Sequence, residues 1–299
     1  MISAWELPFD GGHADFPIAL IGLGRRGCEA IQRLRQAGLA EVHAILIDHD
    51  PDSRQTDSDA HHCDWIGNAA TVPDFSTGAA LGLVIVGAEH HDKTEQLSFK
   101  LGLLRERPTL LLGIILPPPP GERIRLSAEL LGNLDGLMCW PRDPSQDDAW
   151  VLLQATVTDW IAALATPGPV EADFAGLITT FNGARPMLVA SATEEYPARP
   201  ERVQAVAYAA LAAWYDQGFK PAQAAGMLAV VRGVDDAMVE TCDAVSRLFR
   251  DILPEAAPVM VAAPAGAGWQ QRTRVSLFAV GAFGGSETDW WSPITRWKS

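Results

Sequence analysis

The sequence predicts an α/β fold with a Rossmann-type parallel sheet in an N-terminal domain, a long central helix and a smaller α/β C-terminal domain. Three observations carry that prediction. Ile18-Ala19-Leu20-Ile21 runs straight into Gly22-x-Gly24-x-x-Gly27 and then into apolar residues at Ala30, Ile31 and Leu34, which is the pattern of strand, glycine turn and helix. Further apolar runs bounded by turn residues alternate with helical stretches, as in a parallel sheet covered on both faces. Asp147 to Ala165 then carries Trp150, Leu153, Val157, Ile161 and Leu164 on one helical stripe and stops at Pro167-Gly168-Pro169.

The expected divisions are residues 1–146, a nucleotide-binding-like domain; 147–166, the central helix; 167–285, the C-terminal α/β domain; and 286–299, an aromatic tail. With 299 residues the chain can bury a substantial core, and its 48 % hydrophobic and 20 % charged content is that of a globular protein. A formal charge of −14 argues against nonspecific binding to nucleic acid or to an anionic membrane face. Cys28, Cys63, Cys139 and Cys242 are widely spaced and form no C-x-x-C pair, so neither a zinc ribbon nor a disulfide framework is indicated. No signal peptide and no integral membrane segment is expected, which makes a reducing cytoplasm the expected location.

In chain order, residues 1–15 read as a loose arm. After the first helix, Gly38 is a stop, and Val42 to Ile47 is a second buried strand ending in Asp48-His49-Asp50-Pro51. Residues 52–77 are polar and irregular and read as loop. Strands follow at Leu81–Val86, Thr109–Leu116 and Gly136–Trp140, with helices from about Thr94 to Arg105 and Arg123 to Leu131. The C-terminal half reads as helix (Asp173–Thr180), strand (Met187–Ala192), helix (Pro200–Asp216), strand (Met227–Val231), helix (Ala237–Leu253) and strands Val259–Ala263 and Arg272–Gly281. The tips after residues 21, 47, 86 and 116 belong on one sheet edge, where open α/β sheets bind ligands.

The glycine turn proposes a nucleotide, because it lets backbone approach a phosphate while the helix directs its free N–H groups there. It does not select one. A Rossmann-type NAD(P)-dependent oxidoreductase would use Asp48 for a ribose, yet no histidine follows His91 to serve hydride transfer.

From Ile18 to Gly281 the chain also resembles the bacterial division protein FtsZ and its tubulin superfamily. IGLGRRGCEAIQRLRQAGL is similar to that family's first nucleotide loop and helix, with Gly22, Gly24, Gly27, Cys28, Ala30, Ile31 and Arg33 on matching positions. ILIDHDPDS resembles the second strand and its N-T-D tip, keeping Asp50. Asp147-Asp148 resembles the pair whose second acid reads the guanine edge, and VEADFAGLITTF resembles N-x-D-F-A-D-V-R-T-V-M after the central helix. AGMLAVVRGVDD, VMVAAPAGAG and RTRVSLFAVG follow the order of the C-terminal strands.

The departures fall on the chemistry. Where the family has G-G-G-T-G-T-G around the phosphates, this chain has Glu89-His90-His91-Asp92-Lys93-Thr94. Arg25 and Arg26 replace glycines of the first loop and either pair with phosphate or plug the void. The family's N-x-D-x-x-D acids, which orient the attacking water from a neighbouring subunit, become Glu171, Asp173 and Gly176, and an asparagine near the guanine becomes Arg142.

The resemblance therefore implies a cytoskeletal or scaffold-type protein with a degenerate GTPase site, acting as a homo-oligomer or through a protein partner. Its cofactor-binding candidates are Gly22, Gly24, Arg25, Arg26, Gly27, Cys28, Asp50 and Asp148, with no catalytic residue and no metal ligand assigned. No cofactor is required by this reading, and GTP or GDP stays open. A GTP-binding filament-forming GTPase is the alternative. His61-His62-Cys63 and His90-His91, with His49 near by, offer imidazole and thiolate to a metal or are simply solvated loop residues. Cys28 is expected to pack. Trp290, Trp291 and Trp297 make the tail either a docking peptide or a last strand on the body.

Overall fold

The computed structural model describes residues 18–39, 42–48, 63–66, 81–87, 101, 110–116, 124–139, 146–181, 185–196, 199–216, 218, 220–233, 239–266, 269, 271–281 and 294–296. They divide into two units, one within Asp15–Met138 plus the strand at 294–296, the other within Cys139–Gly284.

In the first unit β1 (Ile18–Leu23) leads directly into α1 (Gly24–Leu34). A wide turn over Arg35–Leu39 follows, where Gly38 adopts φ 119°, open to glycine and strained for other residues. The strands β2 (His43–Ile47), β3 (Cys63–Ile66), β4 (Leu81–Val86), β5 (Leu110–Ile115), β6 (Ile124–Leu126) and β7 (Gly136–Cys139) complete the chain order, with α2 (Ala128–Gly132) before β7. The sheet runs β7-β5-β4-β1-β2-β3 and is parallel throughout. The strands β1, β4 and β5 are wholly apolar because both faces are covered, and every residue in them is buried. Asp135 closes the turn into β7, its Oδ2 accepting the Leu111 N–H at 2.8 Å while its own N–H donates to the Leu111 carbonyl at 2.8 Å.

Two expectations for this unit need correction. Residues 52–77 are not loop throughout, since β3 pairs with β2 from Ala44↔Cys63 to Ile47↔Ile66. The strand is short and set in polar sequence, and the open edge of β2 selects it rather than any periodicity of its own. The helix expected from Arg123 splits into β6 and α2. Ser127 is extended and its Oγ accepts the Leu130 N–H at 3.1 Å, so the helix starts there and the residues before it stay extended. They pair in parallel with β12 (Ile294–Arg296), so this part of the tail is a strand on the body. Of the helix expected over 94–105 only Leu101 is described, and it is helical and fully buried.

The second unit begins with α3 (Gln146–Ala165) and α4 (Phe174–Phe181), followed by β8 (Arg185–Glu194), α5 (Pro200–Asp216), β9 (Ala224–Arg232), α6 (Val239–Ile252), β10 (Val259–Ala262) and β11 (Thr273–Gly281). Its sheet order is β10-β9-β11-β8, with β11 antiparallel to both neighbours and β10 parallel to β9. Helices α3 and α4 pack on the sheet, as do α5 and α6. Trp160 of α3 lies edge-on to Phe181 at 5.2 Å and tilted on Phe278 at 5.3 Å, joining α3, α4 and β11 through one aromatic cluster.

The central helix is not the one-sided amphipathic helix its stripe suggests. From Ala155 to Ala163 every residue is buried, including Asp159 at 0 % exposure. An acid that far from water needs partners, and β11 supplies them. The Arg274 guanidinium donates to Asp159 Oδ1, and the Ser276 hydroxyl donates to Oδ2 at 2.5 Å.

Candidate functional site

The first candidate site is the β1–α1 turn. Gly24 opens the helix at φ 71°, in the left-handed region that a side chain disfavours. Gly22 and Gly27 are required by contact. A Cβ on Gly22 would lie 2.9 Å from the Gly27 carbonyl oxygen, and one on Gly27 would lie 2.3 Å from that of Ile85. Gly22 and Gly27 thus let β1, α1 and β4 close together, a packing reason that holds with or without a ligand. Cys28 is 1 % exposed, and its thiol donates to the Gly22 carbonyl at 3.5 Å, so it belongs to the same packed turn.

The polar part of the turn is cationic. No side chain caps α1 and no acid stands in its first turn, which leaves its free N–H groups favourable to an anion. Arg25 is exposed and bonds Glu29 at 3.0 Å. Arg26 lies against the tip of β4: a Cβ on Gly87 would meet Arg26 Cβ at 2.5 Å. The arginine stem therefore covers the ground between the first turn of α1 and the end of β4.

Asp48, the ribose reader a Rossmann enzyme would need, is 2 % exposed at the end of β2. Asp50, His61, His62, Glu89, His90, His91 and Arg142 lie outside the described residues, as do Trp290, Trp291 and Trp297. Cys63 and Asp148 are placed in β3 and α3 by their backbone, and their side chains fall outside the described ones. Among the described residues no group of three or more His, Cys, Asp or Glu side chains could hold a metal ion. No described helix is long and apolar enough to cross a membrane.

The second candidate site precedes α4. Asp173 caps that helix, Oδ1 accepting from the Ala175 N–H at 3.2 Å and Oδ2 from the Gly176 N–H at 3.0 Å. Glu171 is exposed beside it, and Gly176 packs toward the Met260 sulfur, which a Cβ there would meet at 3.3 Å.

FtsZ of M. jannaschii, as its W319Y mutant, superposes with a TM-score of 0.66 over 89 % of this chain and 91 % of that one, at 15 % identity. The chain has the FtsZ/tubulin fold. CetZ1 of Haloferax volcanii, a GDP-bound monomer, shares that FtsZ/tubulin fold with a TM-score of 0.63 over 93 % of this chain and 98 % of that one, at 11 % identity. TubZ of Bacillus thuringiensis serovar israelensis, seen as GDP-form protofilaments, scores 0.60 over 94 % and 93 %, at 10 % identity. No protein-family model matches the chain, and no curated protein matches it by sequence. The parallel sheet and the mixed α/β unit expected after it are thus those of the FtsZ/tubulin fold, while nothing supports a nicotinamide oxidoreductase; the second unit, within Cys139–Gly284, is not the smaller of the two that the sequence suggested.

Sequence reasoning missed a third cluster. Arg232 and Arg274 stand directly opposite each other on β9 and β11, both nearly without exposure, with Asp159 the carboxylate that faces them. Arg232, Arg272 and Arg274 surround the Trp269 ring at 4.9, 5.2 and 4.5 Å. Burial, opposed by the Asp159 charge and reinforced by Arg274, brings the Arg232 guanidinium down to about 10. The antiparallel register creates this cluster, and no local pattern announces it.

Proposed function

We propose that this chain is an assembly protein on the FtsZ/tubulin fold whose GTP-hydrolysing chemistry has decayed. One observation carries the reading: the acid that survives in the water-orienting phrase, Asp173, is engaged as the cap of its own helix, and the next acid position is Gly176. Phosphoryl transfer depends almost wholly on positioning and electrostatics, so losing an acid at that phrase removes turnover more readily than it removes fold. The solved relatives include an FtsZ dimer and TubZ protofilaments, which supports self-assembly as the property inherited here.

A second reading, nucleotide binding without hydrolysis, is favoured by the uncapped α1 with Arg25 and Arg26 in its first turn. Those residues fit the phosphate end of GTP or GDP, which would supply an anion for α1 to hold. The phrase before α4 does not fit a hydrolytic carboxylate pair.

Calorimetric titration with GTP, GDP and NAD, phosphate-release assays and sedimentation test both readings together. The expected outcome is self-association independent of GTP and no phosphate release above the buffer rate. GTP turnover abolished by Asp173→Ala would overturn the proposal, and NAD binding lost in Asp48→Ala would revive the oxidoreductase.

A further inference from the structure

Helices α5 and α6 both cover the second unit's sheet and touch each other, yet their outward faces differ in chemistry. The outer face of α6 is charged, carrying Glu240, Asp243, Arg247, Arg250 and Asp251, with an Asp243–Arg247 ion pair at 2.7 Å. That is a face at home in water. The outer face of α5 exposes Gln204, Ala205, Tyr208, Ala209, Ala212 and Tyr215 between Glu201 and Asp216 at its ends, with Tyr208 at 55 % and Tyr215 at 49 %.

The spacing of this face is regular. Glu201, Ala205, Tyr208, Ala212 and Tyr215 follow one another at intervals of four, three, four and three residues, the spacing of a seam between two helices. The sizes along it are also self-complementary. An antiparallel copy related by a two-fold axis beside Ala210 sets Tyr208 against Ala212 and Ala205 against Tyr215, a large side chain opposite a small one in each layer. The same axis carries Glu201 to the far end of the partner's helix, where Lys220 is exposed just past Asp216. Antiparallel helix dipoles oppose favourably as well.

We infer that the outer face of α5 is an isologous contact between two copies of this chain. Tyr208 packs on the partner's Ala212 and Tyr215 on the partner's Ala205. The inference rests on the self-assembly reading and adds to it a two-fold contact that places two chains side by side. The helix has 17 residues, about 25 Å of seam at about 1.5 Å per residue, so the contact is that of a single helix from each copy. Association through it is accordingly concentration-dependent.

Sedimentation velocity on the full chain, from low micromolar to several hundred micromolar, tests the contact. Two single variants, Ala212→Glu and Tyr208→Lys, each change an exposed residue, and thermal melting checks that each stays folded. The expected result is that each variant alone loses at least about tenfold in dimerisation constant. A mixture of the two recovers association, because Glu at 212 then meets Lys at 208 across the axis while the second layer keeps its native pair. Folded variants that associate like the parent, or a mixture no better than either alone, would overturn the α5 contact and leave self-assembly standing. A parent that stays monomeric throughout would overturn both.

Discussion

Asp159 and Arg274, 115 residues apart in sequence, form an ion pair with side-chain exposures of 0 % and 4 %, linking the central helix to the middle of a sheet. Ser276 holds the second carboxylate oxygen and lies 2.9 Å from Ser191 across the β8–β11 pair, so both oxygens of the acid are engaged. Removing one member strands the other away from water. Asp159→Ala and Arg274→Met are each expected to lower unfolding stability by about 3–5 kcal/mol in urea titrations. The double replacement with apolar residues should cost less than the sum, because no unpaired charge is left.

Arg232 gives the opposite expectation. Its Nε and Nη1 are buried without a hydrogen-bond partner, and it faces Arg274, a like charge, across the ladder. Burial of that guanidinium disfavours the folded state, although its stacking on Trp269 offsets part of the cost. Arg232→Met, which keeps the stem's volume, is expected to leave stability unchanged or raise it by about 1 kcal/mol or more. A loss comparable to that of Arg274→Met in the same titration would contradict this account.

At the β1–α1 turn, Gly27→Ala tests the packing role of the glycine separately from any ligand. Its Cβ would fall 2.3 Å from the Ile85 carbonyl oxygen, so backbone must shift. A destabilisation of about 1–3 kcal/mol is expected without any nucleotide present. If melting is unaffected in ligand-free buffer, the glycine is not there for packing.

Cys242 gives stability a dependence on alkaline pH. Burial pushes its thiol up from 9.0 to about 11, so between those values the unfolded chain loses a proton that the folded chain keeps. Fewer protons bound by the unfolded state mean that stability falls as pH rises through that window, by at most about 1.4 kcal/mol per pH unit. Arg232 acts with the reverse sign above pH 10, because the folded chain then releases a proton that the unfolded one holds. The clean window is therefore pH 9 to 10, where the parent should lose melting temperature and Cys242→Ala should lose less.

The elements most legible in the sequence are those whose signal is local. The β1–turn–α1 unit follows from three glycines within six positions and the apolar residues on either side. The Pro200–Asp216 helix has the bounds expected of it, with proline at its first position and buried residues at helical spacing. The candidate site was legible in kind at the same turn, where glycines and arginines both stand in the sequence. That the glycines are already committed to Ile85 and to each other was not, because β4 arrives from sixty residues away.

By itself, then, the sequence determined that this is an α/β chain with a parallel sheet, a glycine turn at its first helix and most of its strands in their order. Tertiary structure decided what each polar residue does. It made Asp159 a buried anchor, Asp173 a helix cap and Arg26 a cover over Gly87, and it turned Cys63–Ile66 and Ile124–Leu126 into strands by offering them an edge. The physical reason is that periodicity reports the one face a segment presents to its own core. Burial on every side, cross-strand register and edge pairing depend on partners that the chain brings together only when it folds.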